Sequence, residues 1–130
     1  MHTLISKVLS MHRAWALCFW ALLLAVTVLM LVPRPPPRID TGWDKANHLL
    51  AFAAPMFAAL VAWTRSNSTR AQAGWLAAGL WAWGGVIELL QGLMPPRSAD
   101  WRDWLADGLG VLLGLTLFRA LQAWRGLSRM

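Results

Sequence analysis

Three short stretches of this 130-residue chain hold almost every side chain able to move a proton, hold a cation or grip an anion. Asp44, Lys45 and His48 form the first, Glu88 and Gln91 the second, and Arg97, Asp100, Asp103 and Asp107 the third. Of the six acids in the chain, only Asp40 lies outside them. A histidine among carboxylates has two chemistries open to it: a general base oriented by a carboxylate, or one ligand of a divalent metal. Lys45 and Arg97 suit phosphate or carboxylate recognition. No HExxH-type spacing singles out a metal, no serine or cysteine stands in a recognisable nucleophile context, and no cofactor is indicated. A purely structural role is the alternative, in which the groups pair with one another, for example Glu88 with Arg97 or His48, and hold short loops in place.

The spacing within each stretch is helical. Asp44 and His48 are four apart, Glu88 and Gln91 three apart, and Asp100, Asp103 and Asp107 step by three and then four, so each set shares one helix face. The composition says which helices carry them. With 58% hydrophobic residues, 14% charged residues and a mean hydropathy of +0.47, the chain is too apolar for an ordinary soluble domain. Crossing a bilayer takes roughly 20 mostly apolar residues, and four runs qualify, over about 14–32, 46–63, 71–94 and 98–124. They are continuously apolar, without the alternation of barrel strands. The expected fold is therefore an all-α membrane protein, an antiparallel bundle of four transmembrane helices with short loops spanning 14–124, preceded by a cytoplasmic segment over 1–13. The first run is long and closes on Pro33, Pro35, Pro36 and Pro37 without a small-residue cleavage site, which reads as an anchor and not a signal peptide. Pro55 predicts a kink in the second span, and Ser98 is a candidate N-cap for the fourth. Ala54 with Ala58 and Gly110 with Gly114 are small-residue pairs of the kind that let helices approach closely. The single cysteine, Cys18, lies in an apolar run and supports no disulfide framework.

Connectivity brings the three stretches together. In an antiparallel four-helix bundle the start of the second span, the end of the third and the start of the fourth lie on one side of the membrane, so Asp44 to His48, Glu88 to Gln91 and Arg97 to Asp107 meet at one mouth. Glu88 lies six residues before Met94, about 9 Å below that end at 1.5 Å per residue. A carboxylate at that depth is costly unless paired or hydrated, so it is expected to face the bundle interior. The opposite side holds Lys7, Arg13, Arg65, Arg70, Arg119, Arg125 and Arg129, seven basic residues without an acid, against five on the acidic side: Arg34, Arg38, Lys45, Arg97 and Arg102. Lys and Arg bias places both termini in the cytoplasm. Seven of the ten tryptophans, among them Trp15, Trp43, Trp101 and Trp124, fall close to span ends, as interfacial anchors do.

At these residues the chain resembles the VanZ-like family of small bacterial membrane proteins, named after an accessory protein of glycopeptide resistance that lowers susceptibility to teicoplanin. The likeness rests on Asp44, Lys45 and His48 in DKANH, on Glu88 and Gln91 in ELLQ, and on Arg97, Asp100 and Asp103 in RSADWRDWLADGLG, in that order over Asp44 to Gly114. Asp107 departs from the pattern: the resemblance implies an asparagine four residues after Asp103, and the aspartate adds a negative charge. The family label implies an envelope-facing protein of the bacterial inner membrane, sometimes tied to antibiotic tolerance, and carries no settled reaction.

These readings lead to three functional expectations. The first is an accessory or binding role, with the bilayer as partner and an outward polar pocket that takes lipid headgroups or envelope precursors. The second is an intramembrane hydrolase or transferase acting on lipid-linked phosphate, with His48 and a carboxylate moving the proton. The third is a proton-coupled carrier, disfavoured because the ionisable groups sit near one mouth and leave no continuous path. Nucleic acid is set aside: the net charge is +6, but the basic residues form no continuous stripe.

Overall fold

The computed structural model describes residues 7, 8, 10–33, 41–63 and 70–127. They form four helices, α1 (His12–Leu31), α2 (Asp44–Trp63), α3 (Arg70–Gly92) and α4 (Trp101–Leu127), with no strand among the described residues. Each helix is long and apolar enough to cross a membrane. The all-helical fold expected from hydropathy is the fold observed. Arg34, Arg38, Asp40, Arg65, Arg129 and the prolines at 35–37 lie outside the described residues.

The helix starts answer to local chemistry. α4 begins at Trp101, and its N-cap is Asp100 rather than the expected Ser98: the Asp100 carboxylate accepts the Arg102 backbone N–H at 2.9 Å. Aspartate caps as well as serine does, and it adds a negative charge at the positive end of the helix dipole. α2 keeps its helical course through Pro55, which is buried.

α2 is the central helix. Phe52, Met56 and Leu60 on α2 and Ile87 on α3 are the largest apolar side chains withdrawn from the surface, and Phe19, Val26 and Met30 of α1 join the same core. α2 packs most intimately on α4, because α4 presents no side chain at two successive turns. A Cβ at Gly110 would run into the Leu49 carbonyl, and one at Gly114 would lie 2.5 Å from the Ala53 carbonyl. Leu49 and Ala53 advance along α2 in the same sense as Gly110 and Gly114 along α4, so the two helices run parallel. Gly110 and Gly114 thus work as the close-contact pair that their spacing suggested. Ala54 and Ala58 do not: Ala58 is buried, but Ala54 points outward.

Outward faces carry Leu17, Trp20 and Leu24 on α1, Leu89 on α3, and Leu109, Leu112 and Leu117 on α4, all exposed. Such a surface is a liability in water and the required surface in lipid. The last carbonyls of two helices, which lack intrahelical partners, are met by side chains of neighbours. At one end of the bundle, His12 Nδ1 donates to the Val61 carbonyl at 2.9 Å and Gln72 Nε2 to the Trp63 carbonyl at 3.2 Å. At the other end, Gln91 and Arg97 do the same for α1. α3 and α4 are stitched by a reciprocal pair: Trp81 Nε1 donates to the Trp104 carbonyl at 3.1 Å, Trp104 Nε1 to the Trp81 carbonyl at 3.0 Å, and the rings stack 4.8 Å apart.

Candidate functional site

Because α2 and α4 run parallel, their N-termini lie side by side, and two positive dipole ends meet there. Asp44 and Asp103 in the first turns, with Asp100 at the α4 cap, offset that charge. Lys45 crosses from α2 to the same acids, its Nζ 3.2 Å from Asp103 Oδ1 and 3.7 Å from Asp100 Oδ2. Lys45 and Asp100 are both partly exposed, so this outer layer meets solvent.

About one turn further in, the groups are sealed. His48 Nδ1 lies 2.8 Å from Asp107 Oδ1, and both residues are 0% exposed. With its proton on Nδ1, His48 donates to the Asp107 carboxylate, and Nε2 is left as an acceptor. α3 arrives antiparallel and supplies Glu88, whose Oε2 accepts the Asp100 backbone N–H at 2.9 Å and so ties α3 to the turn before α4. Its other oxygen, Oε1, stands 3.8 Å from His48 Nδ1, beyond hydrogen-bond range. Gly84, one turn before Glu88, makes room for this arrangement: a Cβ there would lie 2.5 Å from Asp107 Oδ2. His48 Nε2, Glu88 Oε1 and Asp107 Oδ2 are buried and have no hydrogen-bond partner among the described residues.

Of the nine candidate residues, His48, Glu88 and Asp107 thus form an inner set, and Lys45, Asp100 and Asp103 an outer one. Asp44 is an exposed rim residue that shares with His48 and Asp103 a second grouping of donor atoms. Gln91 and Arg97 point elsewhere. Gln91 Nε2 donates to the Met30 carbonyl at 2.7 Å, and the Arg97 guanidinium donates to the Val32 carbonyl at 3.0 and 3.3 Å. The Glu88–Arg97 pair considered from sequence therefore does not form; Nε and Nη2 of the guanidinium are directed to a helix-end acceptor of α1. Replacing Gln91 with leucine is expected to cost about 1–3 kcal/mol, because the buried Met30 carbonyl loses its side-chain donor. Faster amide exchange near the end of α1, with the rest of the bundle unchanged, is the readout.

Sequence reasoning missed Gly84 and the two α1 carbonyls. A glycine four residues before an intramembrane acid was a usable signal for the first. The carbonyls carry none, since every residue has one.

Beside the sealed set, between α1 and α2, lies an open cavity of about 250 Å³. Its walls are apolar, Leu22 and Leu50 among them, and Thr41, Asp44, Asn47 and Arg97 supply its polar groups. His48, Glu88 and Asp107 do not line it.

The VanZ/LLP1 family model matches residues 19–122, most of the chain. The chain belongs to the VanZ/LLP1 family. Among curated proteins and solved structures, none matches it. The VanZ/LLP1 match takes in parts of all four helices and all three polar stretches, so the inner and outer sets both lie within the family region of a multi-pass membrane protein. Asp107, at which the resemblance implies an asparagine, is the direct partner of His48.

Proposed function

We propose that this VanZ/LLP1 protein is an accessory binding protein of the bacterial cytoplasmic membrane, which holds an amphipathic envelope lipid with its tail between α1 and α2 and its acidic headgroup at Arg97. The observation that carries this reading is the α1–α2 cavity: apolar walls for a chain, and a cation with hydroxyl, amide and carboxylate groups for a headgroup. Lys45, partly exposed on the same end of the bundle, adds a second cation. With both termini in the cytoplasm, as the Lys and Arg bias favours, the cavity mouth faces outward, where envelope precursors are assembled. An effect on glycopeptide susceptibility would then be indirect, through the lipid held.

The test is native mass spectrometry of the purified chain with phosphatidylglycerol and with phosphatidylcholine. Preferential retention of the acidic lipid, reduced about tenfold by Ala51→Trp in the cavity wall and by Arg97→Gln, is expected, a change of about 1.4 kcal/mol. Equal retention of both lipids, or no effect of either variant, overturns the reading.

The His48–Asp107 pair favours one alternative, an intramembrane hydrolase or transferase acting on lipid-linked phosphate with Nε2 as general base. It ranks second because that imidazole is 0% exposed and does not line the cavity. Turnover of a lipid-linked pyrophosphate by the purified chain, abolished by His48→Gln, would reverse the order; absence of turnover removes the alternative.

A further inference from the structure

The inner set has a property that neither ion pairing nor headgroup binding uses. Three helices each deliver one ionisable side chain to the same buried point, and each side chain keeps an atom without a partner: His48 Nε2 from α2, Glu88 Oε1 from α3 and Asp107 Oδ2 from α4. All three residues are at most 5% exposed. One donor atom from each lies within 4.8 Å of the donors of the other two.

We propose that His48, Glu88 and Asp107 form a buried site for a first-row divalent cation of the Zn²⁺ type. The donor set is right in kind, one imidazole nitrogen and two carboxylate oxygens, borderline to hard ligands that suit Zn²⁺, Mn²⁺ or Fe²⁺ rather than Cu⁺. It is right in size as well. Ligands bound to zinc at about 2.0–2.1 Å in a tetrahedron stand about 3.4 Å from one another. The ion takes the place of the proton shared by His48 Nδ1 and Asp107: Nδ1 is 2.8 Å from Asp107 Oδ1 and 3.8 Å from Glu88 Oε1, two donor separations that straddle that value.

Charge points the same way. Two carboxylates within an apolar bundle are costly as a net −2, and one divalent ion beside a neutral imidazole cancels it. Asp107 decides the matter, because an asparagine there would leave a single carboxylate and a weaker site. Supporting bonds are already in place: Glu88 Oε2 is anchored by the Asp100 N–H, which fixes the carboxylate as outer hydrogen bonds do in metal sites. The inference stands apart from the headgroup reading, since the cavity and this set share no residue.

The experiment uses the full-length chain in detergent, stripped with chelator and titrated with Zn²⁺ and, as a spectroscopic probe, Co²⁺. One ion per chain is expected by elemental analysis, with visible Co²⁺ absorption bands and a higher melting temperature on loading. Glu88→Gln and Asp107→Asn preserve shape; each is expected to weaken uptake about tenfold or more and to remove the thermal shift, while remaining monodisperse. Asp44→Asn is expected to keep the ion. Retention in Glu88→Gln with loss in Asp44→Asn would move the ion to the outer grouping of Asp44, His48 and Asp103 and overturn the assignment. A stripped wild-type chain that takes up neither metal overturns it outright and leaves the set as a proton-neutralised ion pair; lipid retention measured on the same sample tells that failure from one of the headgroup reading.

Discussion

Replacing Gly110 with leucine is expected to prevent the bundle from assembling, and even alanine there is expected to be severely destabilising. A Cβ at this position would meet the carbonyl oxygen, carbonyl carbon and Cα of Leu49, all backbone atoms of the most buried helix. Backbone cannot swing aside as a side chain can, so relief requires α2 and α4 to separate. That separation would pull Lys45 from Asp103 and His48 from Asp107, whose contacts span the same interface. Overpacking a tight core costs about 1–3 kcal/mol and sometimes more; alanine is placed at the top of that range and leucine beyond it. Gly79 supplies the control. A Cβ there meets nothing within 4 Å, and alanine in a helix interior is favoured over glycine by about 0.5–1 kcal/mol, so Gly79→Ala should hold or raise stability. Unfolding in mixed detergent, followed by helical circular dichroism, separates the two. Equal behaviour of Gly79→Ala and Gly110→Ala would show that the α2–α4 approach is looser than the glycines indicate.

Helix number and type were open to reading because a bilayer leaves few choices. A span must bond its own backbone, and its length is fixed by membrane thickness. The meeting of Asp44, Glu88 and Asp100 at one end needed only chain direction, and their helical spacing gave the faces. Residues that act on backbone resisted. Arg97 was read as a partner for an anion; that its long arm also reaches the Val32 carbonyl was not legible, because that acceptor has no signature of its own. Gln91 shares a face with Glu88 but meets Met30 on α1, a partner that the spacing within α3 alone does not reveal. Burial depth was equally hidden. Asp44 and His48 share a face, yet Asp44 is exposed and His48 sealed, since a single turn separates the helix rim from the interior. Ser98 and Asp100 were both chemically fit to cap α4, and the choice fell to the residue that also presents its N–H to Glu88.

His48→Leu is expected to cost the metal-stripped protein about 3–5 kcal/mol, and adding Asp107→Leu is expected to restore most of the loss. The single change leaves the Asp107 carboxylate 0% exposed with neither oxygen bonded, the circumstance in which removing half of a buried pair is most damaging. Leucine shares the branching of aspartate, so the double variant fills the space beside Gly84 without a charge, and replacing both partners of a buried pair by apolar groups is often neutral or better. Glu88 keeps its bond from the Asp100 N–H in every variant. A double variant as unstable as the sum of the singles would mean that the two residues do not stabilise one another. The same cycle repeated with Zn²⁺ present should no longer close, because the apolar pair can replace an ion pair but cannot bind an ion: the wild type gains stability on loading and the double variant does not. A structural pair thus predicts recovery under both conditions, whereas a metal site predicts recovery only in the stripped protein, and this difference sets the inner set apart from packing.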